Sequence, residues 1–193
     1  VLRFVTLFFV VCVAIAMCFY PGGNIHDPSQ LGYSFTHNFL SDLGGYTARS
    51  GEQNFLSSFF FNMGVFFFSA VGVGFLFVPK LFINDPLGYR LAILGSLFFV
   101  LGMTFFAGVG LTPYDLYTDL HIFFALNAFR LLMPGALLYV IVIYRSPLNN
   151  AFSLITIVYL ISVTCYVIYQ LNSGSALDSK VEMVTHPAMT SST

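Results

Sequence analysis

Charged side chains are scarce in this sequence. Only 8% of the 193 residues are Asp, Glu, Lys or Arg, whereas an ordinary soluble domain carries roughly 25%. A chain with so few charges cannot cover a water-facing surface. The seven Lys and Arg residues form no basic run and the formal net charge is −1, which excludes nucleic-acid binding.

Cysteine is scarce as well, and its placement excludes two further classes of fold. Cys12, Cys18 and Cys165 each lie in an apolar stretch. An odd number of such cysteines makes neither a disulfide framework nor a zinc knuckle, so we interpret them as small packing residues. The patterns H-E-x-x-H, C-x-x-C, G-x-S-x-G and a glycine-rich phosphate loop are also missing, so no common catalytic motif is present.

The sequence is instead rich in long apolar runs. Hydrophobic residues make up 58% of the chain, and the mean hydropathy is +0.85. A bilayer core about 30 Å thick needs roughly 20 residues of helix, and five segments meet or approach that length: 3–20, 55–79, 91–111, 117–144 and 151–171. Backbone polar groups in lipid must be satisfied internally. The sequence therefore predicts an all-α transmembrane bundle of five spans as one domain over 1–171, followed by a short, polar, disordered tail over 172–193.

The basic residues predict how the bundle is oriented. Four fall on one predicted side and two on the other, the larger set being Arg3, Lys80, Arg90 and Arg145. By the positive-inside tendency, the N-terminus is on the cytoplasmic side of the cell membrane and the C-terminus is outside. The chain begins at Val1 rather than Met, so we expect its start to be processed or truncated.

This topology gathers ionisable groups on the outer side. The long loop 21–54, the short loop 112–116 and the start of the fourth span carry three of the four histidines and five of the eight acids. Within the first loop, apolar residues of segment 32–45 recur at helical spacing and are followed by Gly44-Gly45. The spacing predicts a short amphipathic helix in this outer loop.

The candidate catalytic residues of the outer cluster are His37, Ser41, Asp42, Asp115 and His121. Imidazole and carboxylate groups suit a divalent metal held by His37, Asp42 and His121, whose bound water becomes a nucleophile. The same groups suit metal-free acid–base chemistry, with Ser41 as nucleophile. In the other interpretation they cap helices and tie the loop to the bundle. The spacing does not choose between these interpretations.

Arg130 is the second feature that calls for an explanation. It lies near the middle of the fourth span, where an Arg costs about 2.5–3.5 kcal/mol on insertion scales, so we expect it to be sheltered from lipid. Asp119 and Asn127 share its helix face. We predict a polar seam of these three residues, joined by Asn62 or Ser69 of the second span. The seam either clamps helices together or binds a small anionic ligand.

A family resemblance is carried by Pro21-Gly22-Gly23, by the segment 37–44 and by Pro113-x-Asp115 followed by His121. Together these residues resemble bacterial multi-pass membrane proteins grouped only as a domain of unknown function. The resemblance implies a helical membrane protein, typically of six spans, with a Ser-Asp/Glu-Leu-Gly motif after the first. Five predicted spans depart from that number, which fits a lost last helix or a divergent member. The activity stays open.

Two functions fit these observations. The first is a membrane-embedded hydrolase or transferase that acts on a lipid-like substrate through the outer cluster. The second is a non-enzymatic transporter, sensor or membrane assembly factor that uses Arg130 to bind an anion or to clamp helices. The lipid bilayer is the expected partner in both.

Overall fold

The computed structural model describes residues 2–148 and 150–185, with side chains described over 3–148 and 151–169. It is 72% helical, and the described residues form no strand, only two isolated β-bridges, Gly22–Leu31 and Thr47–Gln53. The all-α prediction is confirmed.

Six α-helices follow one another along the described part of the chain. They are α1 (Leu2–Phe19), α2 (Phe55–Phe68), α3 (Val71–Phe75), α4 (Pro86–Leu111), α5 (Thr118–Arg145) and α6 (Asn150–Thr185). Two 3-10 helices join them: Leu40–Gly44, which we call the rim helix, and Val78–Phe82. Because α2, α3 and the second 3-10 helix follow without a long break, Phe55–Phe82 forms one apolar helical segment.

Four helical segments in the described part of the chain are long and apolar enough to cross a membrane. They are Phe55–Phe82, Pro86–Leu111, Thr118–Arg145 and Ala151–Tyr169. These agree with the last four predicted spans. The apolar helix Arg3–Phe19 is shorter, so the fifth span depends on α1.

The predicted boundary at residue 171 is not a helix end. α6 continues through it to Thr185, and residues 186–193 lie outside the described part of the chain. The division into a domain over 1–171 and a disordered tail over 172–193 therefore stays a prediction.

Close packing of α4 against α5 forms the centre of the bundle. Small residues allow it: a Cβ at Gly95 would lie 3.1 Å from the Tyr139 ring, and one at Gly102 would lie 3.0 Å from Leu132. α1 lies along α2, and α6 lies along α5. This arrangement leaves the loops 20–54 and 112–117 at one end of the bundle, which we call the rim.

Candidate functional site

The rim helix is shorter than the predicted amphipathic helix. A turn at Ser34–Asn38 precedes it, and only Leu40–Gly44 is helical. Polar side chains compete for the backbone here: Asn38 Oδ1 accepts from the Ser34 N–H at 3.1 Å, and Asp42 Oδ2 accepts from the Phe39 N–H at 3.0 Å. Such local bonds replace the helical ladder, so helical spacing alone overestimated the element.

Asp42 is a buried carboxylate whose oxygens are both engaged. Its side chain is 1% exposed, and Oδ1 lies 2.9 Å from Nη2 of Arg49 and accepts from Nε at 3.0 Å. The other oxygen accepts from Asn38 Nδ2 at 3.1 Å and from the backbone at the start of the rim helix. Asp42 therefore holds the loop in place, which favours the structural interpretation for this residue.

Arg49 connects Asp42 to the loop between α4 and α5. Its guanidinium carbon lies 5.1 Å from the centre of the Tyr114 ring, within cation–π range. Burial works against the charge of Arg49, but Tyr114 and Asp42 outweigh it and raise the pKa above the ordinary value. Arg49 thus links two loops that are far apart in sequence.

Asp115 fixes the same contact from the opposite loop. Its Oδ1 accepts from the Tyr46 N–H and its Oδ2 from the Thr47 N–H, both at 2.9 Å. A shallow depression of about 300 Å³ lies between the loops and is lined by Asp42, Arg49, Tyr114 and Asp115. The expectation that loops 21–54 and 112–116 lie at one end of the bundle is confirmed.

A stripe of polar residues on α2 holds the carbonyl groups that end the rim helix. Asn54 Nδ2 donates to Leu43 and Gly45 at 3.2 and 2.8 Å. Three further donors reach the carbonyls of residues 43 and 44 at 2.8–3.1 Å: Ser57, Ser58 and Asn62. Sequence reasoning missed this stripe as a unit, although four polar residues at helical spacing in an apolar run were the available signal.

His37 does not join the other candidates. It is exposed, and its Nδ1 lies 2.8 Å from Thr36 Oγ1 and 3.2 Å from Ser34 Oγ. Across 3–148 and 151–169, no group of three or more His, Cys, Asp or Glu side chains could hold a metal ion. The predicted metal set of His37, Asp42 and His121 is therefore not assembled, because each of the three is bonded to a different neighbour.

His121 is buried in the first turn of α5, with 3% of its surface exposed. Its Nδ1 lies 2.6 Å from the carbonyl oxygen of Thr112. Since a carbonyl only accepts, Nδ1 carries the proton and Nε2 presents a basic lone pair. Nε2 has no hydrogen-bond partner among the described residues. The imidazole of His121 is thus held in one orientation, and its Nε2 is available as a base.

An apolar cavity of about 390 Å³ opens beside His121, and we call it the rim cavity. Its walls are apolar side chains of α1, α2, α4, α5 and α6, with Phe39 and Leu40 of the rim region at one end. The polar residues among its lining are Ser41, Tyr114 and His121, and Tyr166 lines it from α6. Ser41 Oγ makes no hydrogen bond within the described part of the chain. The structure thus brings Ser41 and His121 to one cavity, while Asp42 and Asp115 line the neighbouring depression.

A second cavity continues the first toward the other end of the bundle. This deep cavity measures about 520 Å³ and is almost entirely apolar. Phe106 and Phe129 line both cavities, and their ring centres are 5.3 Å apart. These two rings therefore form the wall that the cavities share.

The predicted polar seam around Arg130 is not formed. Arg130 is exposed on the surface of the chain and makes no hydrogen bond or ion pair with residues 3–148 or 151–169. Asn62 is engaged at the rim, and Ser69 Oγ donates to Phe66 at 2.6 Å. The expected shelter of Arg130 from lipid is therefore not provided by the described residues.

The packing of α5 explains this error. Its small residues Ala128, Gly135 and Ala136 are buried, so they set the face that meets α4. Asp119, Asn127 and Arg130 share a different face, as their spacing predicts, but that face points outward. Asn127 Nδ2 donates to the Phe123 carbonyl at 2.7 Å, and Asp119 is exposed.

No protein family model, curated protein or solved structure matches the chain. The resemblance to multi-pass bacterial membrane proteins therefore stays a prediction. The candidate function rests on the chain's own geometry, in which the rim cavity is lined mostly by apolar side chains, with Ser41, Tyr114 and His121 among its lining residues.

Proposed function

We propose that this chain is a membrane protein that binds a lipid-like amphiphile in the rim cavity. The apolar part of the ligand lies between the helices, and its polar end meets Ser41, Tyr114 and His121. The observation that carries the proposal is the distribution of polarity in this cavity, with apolar walls and a few polar groups that can orient a ligand. Its volume of about 390 Å³ lies in the range of about 300–1,000 Å³ typical of small-molecule sites.

The proposal includes α1 as a fifth span. Its 18 residues cover about 27 Å, close to the thickness of a bilayer core. Five spans place the rim outside, the N-terminus in the cytoplasm and the C-terminus outside, in a bacterial cytoplasmic membrane. The excess of Lys and Arg at the other end of the bundle supports this orientation.

A second candidate function is hydrolysis or group transfer on the bound amphiphile. It is favoured by one observation: the available Nε2 of His121 and the free hydroxyl of Ser41 belong to the same cavity. His121 would take the proton of Ser41 as Oγ attacks an ester carbonyl, and would return it to the departing alcohol; water then releases the acyl group. No hydrogen bond joins the two side chains, so the reaction requires the rim helix to approach α5.

Photolabelling tests the binding proposal. A fatty acid with a diazirine on its chain is irradiated with the purified full chain, and labelled peptides are mapped by mass spectrometry. We expect label on the α5 segment that lines the cavity, and we expect Ala125→Trp, which fills the cavity, to remove it. Leu137→Trp introduces the same indole on the exposed side of α5 and is the matched control. Equal labelling of both variants would contradict the proposal.

Ester hydrolysis tests the catalytic candidate separately. The full chain is assayed with p-nitrophenyl decanoate, alongside Ser41→Ala and His121→Gln. Loss of turnover in both variants with retained photolabelling supports catalysis. If the unaltered chain does not hydrolyse the ester while the label still maps to the cavity, catalysis of ester cleavage is rejected and binding stands.

A further inference from the structure

We propose that the outward face of α5 centred on Arg130 binds a transmembrane helix of a different polypeptide that carries a carboxylate at mid-membrane depth. The inference requires that the bundle spans the bilayer, but it is independent of the rim cavity. It starts from a cation on the surface of the chain that has no partner among the described residues.

Arg130 lies so deep in the bilayer core that its guanidinium group is not hydrated. Its Cα lies about 18 Å along the axis from the start of α5 and about 22 Å from the end. A bilayer core is about 30 Å thick, so a centred helix places Arg130 well inside it. Snorkelling serves basic residues near helix ends, and Arg130 is near neither end. Charged groups at this depth normally pair with an opposite charge.

The surroundings of Arg130 suit a helix rather than a lipid chain. Asn127 lies one turn earlier on the same face; its Nδ2 donates to the Phe123 carbonyl, and its Oδ1 accepts no hydrogen bond from the described residues. Pro134 has no N–H, so the Arg130 carbonyl also lacks its usual helical donor. Exposed apolar residues flank this polar centre on both sides, among them Phe123 and Leu137. Interhelical hydrogen bonds surrounded by apolar packing are what joins helices in membranes.

A second copy of this chain cannot supply the missing charge. Segments 3–19, 55–82, 86–111 and 151–169 contain no Asp or Glu. The only acid in α5 is Asp119, about 16 Å along the axis from Arg130. A symmetric dimer across this face would moreover place two arginines against each other. None of these segments supplies an acid at the depth of Arg130, so we assign the carboxylate to another polypeptide.

A designed probe tests this directly. The full chain is reconstituted in phosphatidylcholine vesicles with a synthetic polyleucine helix that carries one central Asp, and association is read by energy transfer between dyes. We expect about tenfold stronger association with this helix than with the all-leucine helix. Arg130→Leu abolishes the difference. Arg90→Gln removes an exposed cation near the start of α4 and is the matched control that retains it.

A charge swap guards against misfolding. The Arg130→Asp variant should no longer associate with the Asp helix and should associate instead with a polyleucine helix that carries a central Arg. An unfolded variant cannot switch its preference in this way. Equal association of the unaltered chain with the Asp and all-leucine helices overturns the inference. So does energy transfer between labelled copies of the chain that depends on Arg130, which assigns the face to self-association. If Arg130 becomes buried only when phosphatidylglycerol is added, its partner is a lipid phosphate. That outcome also overturns the inference.

Discussion

Asp42 Oδ1 lies 2.9 Å from Nη2 of Arg49 at the rim, and the two partners differ sharply in exposure. The carboxylate is 1% exposed, whereas the Arg side chain is 30% exposed. Burial of the acid means that its charge depends on Arg49 and on the Asn38 and Phe39 donors. Because Ser41 directly precedes Asp42, this ion pair also sets where Ser41 meets the rim cavity.

We expect Arg49→Gln to lower the free energy of unfolding by about 2 kcal/mol, because it leaves a buried carboxylate without its cation. The measurement is a dodecyl sulfate unfolding titration of the purified protein. In a double-mutant cycle, Asp42→Asn should make the Arg49 change much less costly. Arg90→Gln is the control for loss of an exposed cation, and an equal loss there would contradict the explanation.

Asp115→Ala should loosen the rim loop, because two backbone N–H groups lose their acceptors. Trypsin cleavage after Arg49 reports this directly, and we expect it to be faster in the variant than in the unaltered chain. Asp119→Ala removes a nearby exposed acid that makes no hydrogen bond or ion pair within the described residues. Similar cleavage rates in the two variants would show that Asp115 does not hold the loop.

Gly44→Ala should destabilise the protein by about 2 kcal/mol through overpacking. A Cβ at Gly44 would lie 2.8 Å from Asn62 Oδ1 and 2.8 Å from Cδ1 of Phe61. Ser41→Ala lies in the same rim helix, makes the chain smaller and breaks no described hydrogen bond, so it should change stability by less than about 0.5 kcal/mol. Unfolding titrations of both variants decide the matter.

The pKa of Asp85 predicts a pH dependence at the opposite end of the bundle. The Gly88 N–H, and then Arg145 at 3.3 Å, lower this pKa below its ordinary value of 3.8. A lowered carboxylate pKa contributes stability above pH 3.8 that is lost as the pH falls through the folded-state value. Asp85→Asn should make the melting temperature less dependent on pH across that window. An unchanged acid slope in Asp85→Asn would assign the dependence to another group.

The helices could be predicted from the sequence because bilayer thickness fixes their length. The four long segments fall where the apolar runs predict them, and the two segments between the loops return the chain to the same end of the bundle, where Asp115 meets Thr47. The local hydrogen bonds between side chains and backbone were harder to predict from the sequence. Helical spacing in segment 32–45 did not reveal that Asn38 and Asp42 bond the backbone instead.

The candidate site was predicted only in part. Spacing placed Asp119, Asn127 and Arg130 on one face, but the orientation of that face depends on which residues let α4 approach. Likewise, Asp42 was expected beside histidines, whereas a cation seven residues along the same loop reaches it first. Partner choice among several polar groups is decided by tertiary packing, which single-sequence patterns do not contain.

The hydrogen bonds that the polar stripe donates to the end of the rim helix all go to main-chain oxygens, those of residues 43–45. The path of that loop is therefore insensitive to which amino acids occupy positions 39, 40 and 41. Substitutions can therefore change the side chains at this end of the rim cavity one at a time while the backbone keeps its path. Related chains would then bind chemically different ligands in a cavity whose surrounding backbone is the same.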